Sequence, residues 1–347
     1  MNMKNNFDFI AIGDIVVDAF INMKAAKVRE ENGRPELCFS FADKIPYEWV
    51  EVIPAVGNSA NASVSASRLG LKSALMTNIG SDDDGRKCQR VLENEKVATD
   101  FVKIHTNKKT NYHFVLLYQA DRTILVKHTE FDYQLPDIGT PKWIYLSSLA
   151  ENSLPFHNKI AEYLKINPEI KLAFQPGTFQ MELGYEQLKD IYKATEVFFC
   201  NVQEAKRILG EIQPSLIASF VNKEKQKVIT QILAEIKKLG PKIVVITDGP
   251  DGAYTYDGKK ILFVPMYPDQ KEPLDRTGAG DAFASTFASA LANERSLEEA
   301  LLWGPINSMS VVQYVGAQKG LLTKEKLEEY LENAPKEYKV SEVRPIN

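Results

Sequence analysis

The stretch DRTGAGDAFASTFASAL, residues 275–291, sets two glycines, an alanine and an acid at the approach to an amphipathic helix. Gly278, Ala279 and Gly280 leave their backbone N–H groups sterically open, at the point where a helix starts with four unsatisfied donors. Helix-dipole charge and successive amides in a turn together make a concave seat for phosphate oxygens. Asp281 has two readings at this level: a cap on a helix entered by a tight bend, or a carboxylate aimed at whatever the amides hold. The stretch is not a Walker A loop, since GxxxxGK[ST] occurs nowhere in the chain. Nor is it the dinucleotide GxGxxG, because Phe283 takes the sixth position.

Working outward, apolar runs alternate with amphipathic segments. DFIAIGDIVVDAF (8–20) reads as a buried first strand whose acids, ending with Asp18, open on a site. NSANASVSASRLGL reads as a small-residue helix, SALMTNIG as a strand and DDDGRKCQRVLENE as a charged helix. From KWIYLSSL (142–149) to KIVVITDG (242–249) strands and helices keep alternating. That spacing predicts βαβ units, hence an α/β fold with a mostly parallel sheet covered on both faces. Residues 22–54 and 111–128 break the layering. PELCFSFAD and YEWVEVIPA alternate as half-exposed strands, and YHFVLLYQADRTILVKH reads as a hairpin turning near 119–122. These two pieces are expected to pair as a small β lid on a core made of 1–21, 55–110 and 129–347. The stretch EIQPSLIASFVNKEKQ reads as an inserted loop with a helical turn.

The chain has 347 residues, 44% hydrophobic and 25% charged, with a formal net charge of -4. This balance argues against nucleic acid or an anionic membrane as partner and favours a small molecule. Cys38, Cys88 and Cys200 show no CxxC spacing, so reduced thiols are expected rather than a metal site or a disulfide framework. The start lacks a basic segment followed by an unbroken apolar one, and no apolar run approaches the roughly 20 residues a membrane helix needs. A cytoplasmic protein is the expectation.

DRTGAGDAF resembles the D-T-T-G-A-G-D-A-F signature of the ribokinase-like, or PfkB, carbohydrate kinases, differing at Arg276. Six further motifs follow the family order: VGNSANASVSASRLG, IGSDDDG, TNYHFVLLYQADRTILVKH, NVQEA, VVITDGPDGA and INSMSVVQYVGAQ. The resemblance implies a three-layer α/β/α domain with a β lid, and an ATP-dependent phosphotransferase acting on a hydroxyl of a sugar or sugar derivative. It implies Asp281 as general base, with Gly278, Ala279 and Gly280 as the anion hole for the transferred phosphoryl group. Asp18, Gly57, Asn58 and Asn61 match the sugar side. Asn201, Thr247, Gly249 and Gly252 match the nucleotide loops, and Asn307, Gly316 and Ala317 the adenine side. Glu204 matches the acid that organises Mg2+, largely through water. Asn201 and Glu204, three apart, also read as a capping box, and both roles can hold. Asp275 and Thr277 match a monovalent cation (K+) site, or serve as turn formers.

Departures from the family pattern bear on the acceptor. Val56 replaces the first of two glycines associated with lid hinging, KHTEFDY replaces a Gly-Ala-Asn stretch, and Gln175 stands where Asp or Asn is common. His105, His113, His128 and His157 match no ligand spacing and read as surface or lid residues. A nucleoside acceptor is the alternative, with Phe39, Phe41 and Tyr112 stacking on a base. A non-catalytic sugar sensor on the same fold is the remote one. The exposed apolar lid strands suggest a homodimer formed through the lid.

Overall fold

The computed structural model describes residues 6–31, 34–119, 121–221 and 223–343. The leader reading at residues 1–5 and the centre of the hairpin turn, residue 120, lie outside them. Chain order begins β1 (Phe9–Ile12), β2 (Val16–Met23), β3 (Lys27–Glu31), β4 (Arg34–Cys38), β5 (Tyr47–Val56) and α1 (Asn58–Arg68). β6 (Ser73–Gly80), α2 (Asp83–Asn94), β7 (Val102–His105), β8 (Asn111–Tyr118), β9 (Asp121–Leu125) and β10 (Trp143–Leu146) follow. Then come α3 (Leu154–Ile166), β11 (Lys171–Phe174), α4 (Thr178–Ala194), β12 (Thr195–Asn201), α5 (Val202–Ile212) and α6 (Pro214–Ala218). The rest is α7 (Lys225–Lys238), β13 (Ile243–Thr247), β14 (Ala253–Tyr256), β15 (Ile261–Val264), α8 (Ala279–Ala292), α9 (Leu297–Val311), α10 (Lys324–Glu332) and β16 (Ser341–Val343).

The central sheet runs β16-β15-β14-β13-β12-β11-β10-β1-β6-β7. It is parallel from β7 to β13, and β13 to β16 add antiparallel neighbours that the sequence reading did not separate. Its inner strands are apolar because they are buried on both faces. Phe9 and Ala11 of β1 join one core with α1, α8 and α9, while Ile10 and Ile12 join the other with α3, α4, α5 and α7. Three layers result, as the α/β reading expects. In α1 and α8 the small Ala and Ser residues are almost all buried, which lets these two helices approach closely on one side of the sheet.

The apolar run 8–20 is not one strand. It breaks after Ile12, where Gly13 has no room for a side chain: a Cβ there would meet Ser59 Oγ at 2.4 Å. Ile15 N–H then bonds to Thr77 Oγ1, 3.1 Å, and the chain leaves the central sheet. β2 pairs in parallel with β8 and antiparallel with β5, giving a second sheet, β5-β2-β8-β9. Asp18 therefore sits within a lid strand and not at the end of the first strand, and Asp14 occupies the turn between the two sheets. The lid sheet reaches back to Val16 and forward to Val56, past the expected 22 and 54. β3 and β4 form a separate two-stranded ribbon that ends at Cys38, so Phe39 and Phe41 lie beyond the strand expected to hold them. The expected helical turn in the inserted loop is α6.

Candidate active site

β1 has β6 on one side and β10 on the other, and the chain crosses from one side to the other by way of the lid. Such a reversal opens a crevice beyond the carboxyl ends of the strands. A cavity of about 530 Å3 lies there. Asp14 after β1, Ser148 after β10, Gln175 after β11, Asn201 at the end of β12 and Thr247 at the end of β13 line it. The lid contributes Asp18, His113, Arg122 and Ile124 from above, and Gly278, Gly280 and Asp281 close the floor.

Gly278 is the N-cap of α8, at φ 80°, ψ 0°. A β-carbon there would sit 2.3 Å from Ala317 Cβ, so the bend needs glycine on conformational and steric grounds. Among the described residues, no protein group accepts from the N–H of Gly278, Gly280 or Asp281, while Ala279 N–H reaches back to Arg276 O at 3.4 Å. Nothing stands within 4 Å of where a Gly280 Cβ would be. Gly278, Gly280 and Asp281 line the same cavity, and the Asp281 carboxylate accepts from Asn61 and Gln175 rather than from a backbone N–H of its own helix, so the reading as a mere cap does not describe it. Asp281 Oδ2 accepts from Asn61 Nδ2 at 2.9 Å, and Oδ1 accepts from Gln175 Nε2 at 3.1 Å. Burial pushes its pKa up from the ordinary carboxylate value. The Asn61 and Gln175 donors and the Arg122 charge oppose that rise, while Asp18 adds to it.

On the lid side two carboxylates face two imidazoles. His113 Nδ1 stands 3.5 Å from Asp18 Oδ1, and His128 Nδ1 stands 3.6 Å from Asp14 Oδ2. The two rings are 5.2 Å apart, centre to centre, and Phe179 meets His128 edge-on. Tyr133 donates toward both oxygens of Asp14, at 2.9 and 2.7 Å. Asp18 Oδ1 and His113 Nε2 are buried with no hydrogen-bond partner among the described residues, which suits a site awaiting polar contacts. Gly57 and Asn58 join this wall at the start of α1. Sequence spacing gave no sign of the Asp14, His113, His128 and Tyr133 group, because β1, β8 and the segment after β9 meet only through the lid pairing. Its one trace was the unusual KHTEFDY. His105 instead pairs with Asn78, at 2.8 Å. His157 is neither surface nor lid: it is fully buried, with Nδ1 on Ser153 O and Nε2 on Gln180 Nε2, both at 2.9 Å.

On the opposite side, Asn201 and Glu204 form a reciprocal capping box at the start of α5, both bonds 2.9 Å, while still lining the cavity. Burial raises the Glu204 pKa, and the nearby Asp281 charge works the same way. Asp275 is buried, its Oδ1 accepting from Thr277 N at 2.9 Å and its Oδ2 from Gly316 N at 3.0 Å. Thr277 Oγ1 is buried without a partner among the described residues. Among those residues no group of three or more His, Cys, Asp or Glu side chains is placed to hold a metal. Gly249 and Gly252 shape the turn between β13 and β14, next to Thr247. Asn307 is brought elsewhere. It is fully buried in α9, donating to Thr286 Oγ1 at 2.7 Å and accepting from Leu322 N at 2.9 Å, so both ends of its amide serve packing.

This arrangement, a three-layer sheet domain with a β lid over a cavity at the strand ends, is the ribokinase fold. The ribokinase of Arabidopsis thaliana complexed with ribose and ATP superposes with TM-score 0.76 at 19% identity, over 94% of this chain and 99% of that one. The pfkB family carbohydrate kinase model matches residues 53–324, and the chain belongs to that family. The ribokinase of Bacillus subtilis is 28% identical over 287 residues, spanning 79% of this chain and 87% of its own. The nucleoside kinase of Methanothermobacter thermautotrophicus is 23% identical over 271 residues, 76% and 80% of the two chains. No helix among the described residues is long and apolar enough to cross a membrane.

Proposed function

We propose that this kinase moves the γ-phosphate of ATP to a hydroxyl of a sugar or sugar-like acceptor. The observation carrying this reading is the union, in one cavity, of the Asp281 carboxylate with the open N–H groups of Gly278 and Gly280. The acceptor hydroxyl gives its proton to Asp281 as its oxygen attacks the γ-phosphorus in line, and the amides take up the charge that gathers on the transferred group. Asp14, Asp18, Asn58, Asn61, His113 and His128 offer an acceptor wall rich in hydrogen-bonding groups. A polyhydroxylated ring satisfies such a wall better than a flat base does. Phe39, Phe41 and Tyr112, the residues that favoured a nucleoside, do not line the cavity.

Asn201, Thr247, Gly249, Gly252 and Gly316 are assigned to the ATP side. Glu204, with its carboxylate at the cavity wall, would hold Mg2+ through water, and the ion would neutralise phosphate charge when bound. The orphaned Thr277 hydroxyl beside Asp275 fits a monovalent cation that orders the glycine bend. A panel of ribose, fructose, 2-keto-3-deoxygluconate, adenosine, inosine and cytidine, read by coupled ADP release, tests the acceptor. Release with a sugar and not with the nucleosides supports the reading, and the reverse pattern assigns a nucleoside kinase. No ADP with any acceptor leaves the sugar-sensor alternative in its place. Asp281→Asn is expected to cut kcat at least about 1,000-fold while ATP binding stays within about twofold, since an amide cannot take the proton.

A further inference from the structure

Asp281 is gripped by two carboxamides, and each has a second bond that decides which of its ends faces the acid. On one side Gln175 donates from Nε2 to Asp281 while its Oε1 accepts from the Tyr145 hydroxyl. On the other, Asn61 donates from Nδ2 to Asp281 while its Oδ1 accepts from Gln318 Nε2 at 3.0 Å. Gln318 Nε2 also donates to the Ala55 carbonyl at 2.6 Å. A carboxamide fits nearly as well turned over, but a turned one would set a carbonyl oxygen against the carboxylate. The Ala55 carbonyl can only accept, so it holds Gln318, and through it Asn61, in one sense. The Tyr145 hydroxyl can donate or accept, so the Gln175 arm is held less strictly.

We infer that Gln175 and Gln318 are positioning residues for the proposed base, keeping both of its oxygens facing N–H donors and thereby keeping it ionised inside a buried site. The inference rests on Asp281 acting as base. Donors to the ionised form counter the effect of burial on a carboxylate, and each oxygen retains a lone pair for the incoming hydroxyl. None of these residues is near Asp281 in the sequence. Gln175 follows β11, Tyr145 lies in β10 and Gln318 in the loop after α9, so the grip exists only in the fold.

The test is the pH dependence of kcat with a saturating sugar acceptor, in parallel with thermal melting. Gln175→Leu removes one donor and should raise the midpoint of the acid limb by about one unit, lowering kcat about tenfold below that midpoint. Gln175→Glu keeps the shape but adds a charge, and should raise the midpoint further. Tyr145→Phe should shift it the same way by less. Gln318→Glu, unable to donate to Asn61, should shift the midpoint as Gln175→Leu does, whereas a merely structural glutamine would lower the melting temperature and leave the acid limb in place. Acid limbs that stay in place in all four variants, with only melting temperature or KM altered, overturn the inference. Wild-type turnover by Asp281→Asn instead overturns the reading of Asp281 as base, and the two failures are thus distinct.

Discussion

The central sheet and the lid sheet are both built from apolar strands, yet solvent meets them in opposite ways. All eight residues of β6 are buried, whereas the first six of β5 are exposed, Trp49, Val50 and Val52 among them. Helices cover both faces of the central sheet, so its apolar character is accounted for by packing. Apolar residues on the lid sheet are not accounted for in that way. Large exposed apolar groups on a strand-rich edge are a liability unless something covers them at work. We propose that a second copy of the chain does so, lid against lid. On that proposal the floor holds Asp281 with the glycine bend, and the outer surface of the lid holds the partner copy.

The floor should be the easier part to destroy. Gly278→Val forces a side chain onto a backbone at φ 80° and into Ala317, and kcat should fall about 100- to 1,000-fold, measured by ADP release. His157 tests the floor from below. Burial lowers its pKa from 6.5 to about 4. The unfolded chain therefore binds the extra proton between those values, so stability is complete above about pH 6.5 and lost as pH falls toward 4. The loss should approach about 3 kcal/mol by pH 4. Urea unfolding of His157→Gln should show a flatter dependence over that window, and an equal slope would count against the assignment.

Smaller effects belong to the lid. Val56 is buried where β5 meets α1, in the place of a hinge glycine. Val56→Gly should loosen the lid and raise the acceptor KM about three- to tenfold with kcat changed less, because closure then costs more backbone entropy. Trp49→Ser with Val52→Ser should convert a sedimenting dimer to monomer while shifting the melting temperature by only about 2 °C. A wild-type monomer at working concentration would end the lid-to-lid proposal.

Much of the floor was legible in the sequence. The glycine bend before α8, the capping pair Asn201 and Glu204, and the alternation of strands with helices are local patterns, each set by backbone geometry within a few residues. The lid was legible as exposed apolar strands, but its strand order was not. Alternation locates β5 and β8 and led to the expectation that they pair with each other, whereas β2 lies between them, a strand hidden with the break at Gly13 inside the apolar run 8–20. Asn307 shows the converse case, a motif position whose amide is bonded inside the core.

From its own order, the chain determined that it would build an α/β sheet with a glycine bend and an acid at one helix start. Those features need only neighbouring residues, whose spacing is their geometry. Which residues share the cavity was decided by the sheet order and the lid pairing. Asp18 meets His113 through the pairing of β2 with β8, while Asp14 with His128 and Gln318 with Asn61 meet between segments distant in sequence. Hydrogen bonding and burial act on distance in space, and that distance exists only once the core has packed.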